Sequence, residues 1–267
     1  MVNALAAFTA KSELKEYEFK LGDLGDNEVE VKVEYCGICH SDISVLDNDW
    51  GNAKYPFVPG HEVAGKVIAV GKNVKSHKIG DRVGIGWYSE SCMTCSECMS
   101  GSHNLCSTAQ GVMMGRHGGF SDKVRCHFAW AIKLPDALSD SVVGPLMCGG
   151  ITVFTPMLQC NVLPTERVGV IGVGGLGHMA IKFLKAWGCE VTAFSSTPSK
   201  EAELRALGAH NVVNSRDPKA ISEIRGSLDF IISTVNVPLS WDAYVSALAP
   251  RGRLHFVGAV LEPIPVG

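Results

Sequence analysis

The sequence predicts an α/β protein of two domains, a mostly β first half followed by a doubly wound parallel sheet. Three observations lead there. At 267 residues the chain exceeds one typical hydrophobic core, with roughly 150 residues per domain as the prior. Period-two strand patterns dominate before residue 140, where helical periodicity is scarce. Beyond Pro164, strand and helix patterns alternate.

Val29 to Tyr35 alternates apolar and charged residues, and Val63 to Val70 is a second β-rich run, cut by Gly65 and closed by Gly71. Turn signals at Pro56, Pro59-Gly60, Gly71 and Gly80-Asp81 predict a small, strongly bent sheet or barrel. In the second half, Val168 to Ile171 reads as a buried strand, a glycine-rich turn follows, and Leu176 to Trp187 has helical spacing ending at Gly188. The alternation continues through a strand at Glu190 to Phe194, a helix from Pro198 to Leu207 with Thr197 as N-cap, and a strand at Asn211 to Asn214. A short helix at Ala220 to Arg225, a strand at Leu228 to Ser233, a helix at Leu239 to Ala249 and a strand at Arg253 to Val257 complete it. The domains expected are 1–150 and 151–267. A full sheet of this kind has six strands in the order 3-2-1-4-5-6, so the sheet is expected to be incomplete at its C-terminal end, with the fifth strand as an edge unless something covers it.

Composition sets outer bounds. With 46% hydrophobic and 19% charged residues, 29 Gly and 12 Pro, the chain is neither disordered nor collagen-like. No apolar run approaches the roughly 20 residues that span a bilayer, and Met1 to Lys20 lacks the features of a signal peptide, so a cytoplasmic location and no membrane partner are expected. The 24 basic and 27 acidic residues, net charge −3, are spread evenly. No basic stripe invites nucleic acid. Ten cysteines in a chain without a secretion signal read as metal ligands or buried thiols.

Cys92, Cys95, Cys98 and Cys106 form C-x2-C-x2-C-x7-C, close enough for four thiolates to converge tetrahedrally on one ion from a single loop. A closed site of that kind orders a lobe and does no chemistry. Four buried thiols are the plain alternative. An iron–sulfur run of the bacterial type needs a shorter last gap and a proline, and a nucleic-acid ribbon is disfavoured because Ser91 to Cys106 holds no Lys or Arg.

Cys39, His61 and Cys148 form a second, sparser set: two thiolates and one imidazole match a catalytic zinc site that keeps a fourth position open. Taken singly, each reads more readily as a core residue than as a ligand. Asp42 is placed to hold the distal nitrogen of His61, with a turn cap as its alternative, and Glu62 to act as a temporary ligand or nearby charge, with plain solvation as its own. Cys36, Cys126, Cys160 and Cys189 lack convergent spacing and read as ordinary thiols. Trp50 and Trp87 read equally as a wall for a flat substrate or as simple packing.

Gly172-Val173-Gly174-Gly175-Leu176-Gly177 follows a strand and opens a helix, the context in which glycines let backbone approach a pyrophosphate. The next strand ends in Ser195-Ser196-Thr197-Pro198-Ser199-Lys200 instead of the acidic residue that holds ribose hydroxyls. Hydroxyls plus Lys200 favour NADP(H) over NAD(H), while an N-cap with a solvated lysine is the structural alternative.

Together with Gly37-Ile38-Cys39-His40-Ser41-Asp42, Gly60-His61-Glu62, Gly80-Asp81-Arg82-Val83 and Cys148-Gly149-Gly150-Ile151-Thr152, these motifs resemble the zinc-dependent medium-chain alcohol dehydrogenases. Within them they resemble the NADP-dependent, cinnamyl alcohol dehydrogenase-like aldehyde reductases. The resemblance implies a GroES-like catalytic domain, a Rossmann cofactor domain, and two zinc ions per chain, one catalytic and one structural. It implies Cys39, His61 and Cys148 as catalytic zinc ligands with Glu62 beside them, and Ser41 as the hydroxyl that hydrogen-bonds the reacting oxygen. Ser41, Thr152, Gly172 to Gly177, Ser195 to Thr197, Ser199, Lys200, Thr234 and Gly258 match cofactor-contacting positions. The implied reaction is hydride transfer between NADP(H) and a primary alcohol or aldehyde, aromatic or allylic, in a homodimer for a full-length relative. Two departures stand out: Ser44 occupies the place of a proton-relay histidine found in many relatives, and family members continue past Gly267. The alternative is therefore a shortened relative that binds zinc and nucleotide without turnover.

Overall fold

The computed structural model describes residues 1–260 and 262–265. The chain divides into two compact units, Met1–Cys148 and Gly149–Gly267, so the division falls at Cys148/Gly149 instead of 150/151.

In the first unit, β1 (Val2–Ala6) and β2 (Lys15–Phe19) form a hairpin. They are followed by β3 (Glu28–Cys36), α1 (His40–Leu46), β4 (Val63–Val70), β5 (Arg82–Ile85) and β6 (Tyr88–Glu90). Next come α2 (Ser96–Met99), β7 (Gln110–Gly111), β8 (Lys123–His127), β9 (Ile132–Lys133) and α3 (Asp140–Val143). A five-stranded antiparallel sheet in the order β8-β3-β4-β5-β9 is its frame. The strand expected at Val29 to Tyr35 lies inside β3, where Val29 and Val31 are fully buried against Val63, Val83 and Val124. Burying such a side chain is worth roughly 1.5–3 kcal/mol, which makes this sheet the rigid base of the unit. Two register shifts between β3 and β4 bend it.

The second unit opens with α4 (Gly149–Gln159), then β10 (Arg167–Ile171), α5 (Gly175–Trp187), β11 (Glu190–Ser195), α6 (Glu201–Leu207) and β12 (Asn211–Asn214). It ends with α7 (Pro218–Glu223), β13 (Leu228–Ser233), α8 (Trp241–Ala247) and β14 (Leu248–Phe256). All five strands pair in parallel, in the order β12-β11-β10-β13-β14. Successive side chains of β10 point to opposite faces: Val168 and Val170 join a core with Val153 of α4 and Ile181 of α5, while Ile171 joins Ile221 of α7 and Trp241 of α8. Helices thus cover both faces, as a parallel sheet requires.

The elements depart from expectation in four places. The sequence pattern predicts no helix at α4, which starts at Gly149-Gly150 and contains Pro156. The expected helix at Pro198 is a 3-10 turn over Pro198–Lys200 before α6, and Thr197 makes no side-chain cap bond. The short helix expected at Ala220 starts at Pro218, because Asp217 accepts from the Lys219 N–H and Pro218 suits the first turn. Finally, the helix expected at Leu239 to Ala249 is confined to Trp241–Ala247, and β14 begins at Leu248, before the expected Arg253.

Candidate metal centres and nucleotide loop

The Cys39 backbone is extended and caps α1, whose third residue, Asp42, is buried. Asp42 Oδ2 accepts the Cys39 N–H at 2.8 Å, and Oδ1 accepts the Gly60 N–H at 2.8 Å and the His61 Nδ1 proton at 3.0 Å. One carboxylate therefore ties the loop after β3 to the loop before β4. It also orients the His61 ring, whose Nε2 faces Cys148 Sγ at 3.2 Å. Gly60 sits at φ +103° and its backbone packs on Gly119 and Phe120, so no side chain fits at the turn that aims His61. Cys148 ends the unit; just before it, Met147 packs where Gly84 and Gly86 have no Cβ.

Cys39, His61, Glu62 and Cys148 each offer a donor atom, all within 4.8 Å of one another. The Cys148 thiol donates to Cys39 at 3.9 Å. That bond, against burial and with help from His61 and Ser41, holds Cys39 down to about 4. The same contact, with burial, drives the Cys148 thiol far above its ordinary range. Burial alone would lower His61, but hydrogen bonds to Asp42 and Cys39 outweigh it and lift the imidazole to about 9. Burial and the Cys39 charge push Glu62 up to about 7. Glu62 Oε2 is buried with no hydrogen-bond partner, and a Cβ on Gly37 would land on it. Two thiols, a carboxylate and an imidazole crowded this closely cannot all be deprotonated without a cation among them. The donor set and the orphaned oxygen both fit zinc. Ser41 is half-buried on the first turn of α1, and Ser44, one turn on, is buried. The Trp87 ring stands edge-on to His61 at 5.0 Å, with Trp50 at 6.0 Å from Trp87.

Cys92, Cys95, Cys98 and Cys106 also bring four sulfurs within 4.8 Å. They sit on an excursion between the paired strands β6 and β7. Met93 and Gly101 adopt positive φ, which curls the segment tightly enough for its own amides to reach the sulfurs. The Cys95 N–H donates to Cys92 Sγ at 3.3 Å and the Cys92 N–H to Cys106 Sγ at 3.5 Å. N–H groups of Thr94 and Cys95 lower Cys92 to about 5, and the Cys92 N–H lowers Cys106. Backbone bonds to thiolates suit a tetrahedral zinc site of four cysteines.

In the second unit, Gly172 (φ +81°) turns the chain between β10 and α5, and a Cβ there would strike Val235. A Cβ on Gly177 would strike the Gly172 carbonyl, which accepts the Thr234 hydroxyl at 2.9 Å. Gly174 and Gly175 face open space, with nothing within 4 Å of a Cβ position. The first-turn N–H groups of Gly175, Leu176 and Gly177 have no partner inside the helix, so this hollow fits a pyrophosphate. Val173 is packed against the core. Ser195 ends β11 with its hydroxyl in a local turn with Thr197. Ser196, Thr197, Ser199 and Lys200 are exposed, their side chains free of hydrogen bonds among the described residues. Thr152 is half-buried on α4, and Gly258 passes so near the Val235 carbonyl that a Cβ is excluded.

The family of alcohol dehydrogenase GroES-like domains matches residues 25–136, and the zinc-binding dehydrogenase family matches residues 175–267. The aldehyde reductase AdhA of Synechocystis is 53% identical over 264 residues, covering 99% of this chain and 79% of the relative. A probable cinnamyl alcohol dehydrogenase of rice, Oryza sativa, is 40% identical over 275 residues, covering 98% of this chain and 76% of that one. Among solved structures, the cinnamyl alcohol dehydrogenase SbCAD4 of Sorghum bicolor matches with a TM-score of 0.94 and 40% identity, covering 100% of this chain and 78% of that one. The Helicobacter pylori enzyme complexed with NADP(H) matches at 0.90 with 32% identity, covering 97% and 76%.

Proposed function

The chain belongs to the zinc-binding medium-chain alcohol dehydrogenase family, and from that premise we propose that it is an NADP(H)-dependent aldehyde reductase. Its substrates are aromatic or allylic aldehydes and the matching primary alcohols, and each chain holds two zinc ions. The observation that carries this reading is the cluster of Cys39, His61 and Cys148 beside the partnerless Glu62 oxygen.

In this proposal Cys39, His61 and Cys148 hold the catalytic zinc, and Cys92, Cys95, Cys98 and Cys106 hold the structural one. The bound zinc supplies a Lewis acid that polarises the carbonyl, and the dinucleotide supplies hydride. Asp42 keeps His61 in the tautomer that offers Nε2. The Ser41 hydroxyl hydrogen-bonds the reacting oxygen and moves its proton. Ser44 carries no titratable group, so the relay beyond Ser41 does not run through an imidazole at that position. Glu62, buried and raised, waits as an exchangeable donor. Trp50 and Trp87 provide flat apolar surface beside His61, which favours a conjugated or aromatic aldehyde. Gly172 to Gly177 cradle the pyrophosphate, while Ser195 to Lys200 receive the ribose 2′-phosphate. A cytoplasmic, reducing setting keeps the metal-binding cysteines out of disulfides.

The test follows NADPH oxidation by zinc-loaded protein with cinnamaldehyde, with NADH as the comparison. Aldehyde-dependent oxidation that prefers NADPH is expected. Folded, zinc-replete protein that oxidises neither cofactor with a panel of aromatic and allylic aldehydes overturns the proposal.

A further inference from the structure

We propose that Arg216 is a second cation of the 2′-phosphate site and sets the discrimination between phosphorylated and unphosphorylated dinucleotides. This rests on the NADP(H) reading of the second unit.

The position follows from the sheet. Asn214, the last residue of β12, is in register with Ser195, the last of β11. The ladder then runs one step further, the Ser215 N–H donating to the Ser195 carbonyl at 3.0 Å. The chain leaving β12 thus starts beside the segment beginning at Ser196. Asn214 Oδ1 accepts the Arg216 N–H at 3.0 Å, and the Asp217 N–H donates to the Asn214 carbonyl at 3.1 Å. This turn holds Arg216 at the C-terminal edge of the sheet, where open α/β sheets bind their ligands.

Among the arginines of the second unit, the same residue stands out. Arg167, Arg205 and Arg253 pair with Asp229, Glu201 and Glu166. Arg216 is exposed and, among the described residues, its side chain has neither ion pair nor hydrogen bond. Arg225 and Arg251 also lack partners among the described residues, but they lie near the start of β13, at the opposite edge of the sheet. The neighbouring carboxylates are committed elsewhere: Asp217 accepts from the Lys219 N–H at 2.9 Å and Glu201 pairs with Arg205.

A phosphomonoester carries about −1.5 to −2 charge near neutral pH. Lys200 alone offsets only about half to two-thirds of that. A planar guanidinium adds a two-pronged donor that fits phosphate geometry and stays charged at every working pH. Serines and threonines supply neutral donors, and the turn after β12 places Arg216 to supply a second charge.

The experiment measures dissociation constants of NADPH and NADH by nicotinamide fluorescence for the full chain, Arg216→Ala and Arg216→Lys. Arg216→Ala is expected to weaken NADPH roughly 10-fold or more, the size of a lost charge-assisted hydrogen bond, while leaving NADH within about twofold. Arg216→Lys recovers part of the loss. The unchanged NADH affinity doubles as the control for folding. Equal weakening of both cofactors means that the guanidinium stacks on adenine, and it overturns the proposal. No change in either cofactor overturns it too. A wild-type chain that binds NADH as well as NADPH sinks the cofactor reading itself and this inference with it, whereas a wild type that prefers NADPH but ignores Arg216→Ala sinks this inference alone.

Discussion

Two clusters in the first unit each bring four donor atoms within 4.8 Å, and they arrive there by opposite routes. The four-cysteine lobe is built from one short stretch, closed by its own amides and by backbone turns at Met93 and Gly101. The cluster of Cys39, His61, Glu62 and Cys148 draws on three segments far apart in the chain, and Asp42 joins two of them. Closing a short loop costs little chain entropy, so a lobe can order around its own ion. Distant segments converge only if a sheet has already placed their ends, and the buried valines of β3, β4 and β5 set that sheet. The lobe therefore depends on its metal, while the assembled cluster depends on the fold.

The largest expected effect follows from that contrast. Cys39→Ala removes one equivalent of zinc and lowers aldehyde reduction by about 10³-fold or more, because Lewis-acid stabilisation is worth several kcal/mol. The fold and the thermal midpoint stay close to wild type. Cys98→Ser, at a buried lobe position, does the reverse. It removes the other equivalent, opens residues 92–106 to protease, and costs about 4 kcal/mol, a fall of roughly 10 °C in Tm. Metal analysis with calorimetry separates the two. A Cys39→Ala protein that unfolds while Cys98→Ser merely loses turnover would reverse the assignment of roles.

Asp42→Asn tests the tie itself. Loss of the partner that orients a histidine ligand typically costs 10–100-fold in metal affinity. Chelator competition should therefore show the ion at Cys39, His61 and Cys148 released about that much more easily, with the lobe unaffected. Release from the Cys39, His61 and Cys148 site unchanged from wild type would mean that Asp42 does not support the metal through His61.

The same contrast explains what is legible in the sequence. The lobe is readable because its information is local: the spacing alone brings the cysteines together. The nucleotide loop is readable for the same reason, with the open positions at Gly174 and Gly175 between the crowded Gly172 and Gly177. Cys39, His61 and Cys148 are weak signals singly, since nothing in their spacing shows that β3, β4 and β5 present them to one point. The Glu62 environment is out of reach, because its orphaned oxygen depends on how closely Gly37 packs. α4 escapes the sequence pattern because two glycines and Pro156 argue against a helix locally, and burial of Val153 and Met157 in the core overrides that preference. Arg216 carries no mark in the sequence because its neighbourhood is created by the register of β11 with β12, which is tertiary information.

The smallest effects compare a glycine from each cluster. At Gly101 φ is +87° and nothing lies within 4 Å of a Cβ position. Gly101→Ala therefore costs only backbone strain, about 1–2 kcal/mol. Gly37 has ordinary φ, but its missing Cβ is the space that holds Glu62 Oε2, with Glu62 Cβ at 3.0 Å and Cδ at 3.1 Å from that position. Because Glu62 is buried, its carboxylate has no solvent to swing into, and Gly37→Ala costs about 1–3 kcal/mol as overpacking. The two substitutions are thus similar in thermal stability and differ in what they disturb. Gly37→Ala should alter cobalt absorption at the assembled cluster, since it moves a donor within that set, whereas Gly101→Ala should leave the cluster spectrum untouched. If the spectrum of Gly37→Ala matches wild type, Glu62 lies outside the metal's reach and the assembled site reduces to Cys39, His61 and Cys148.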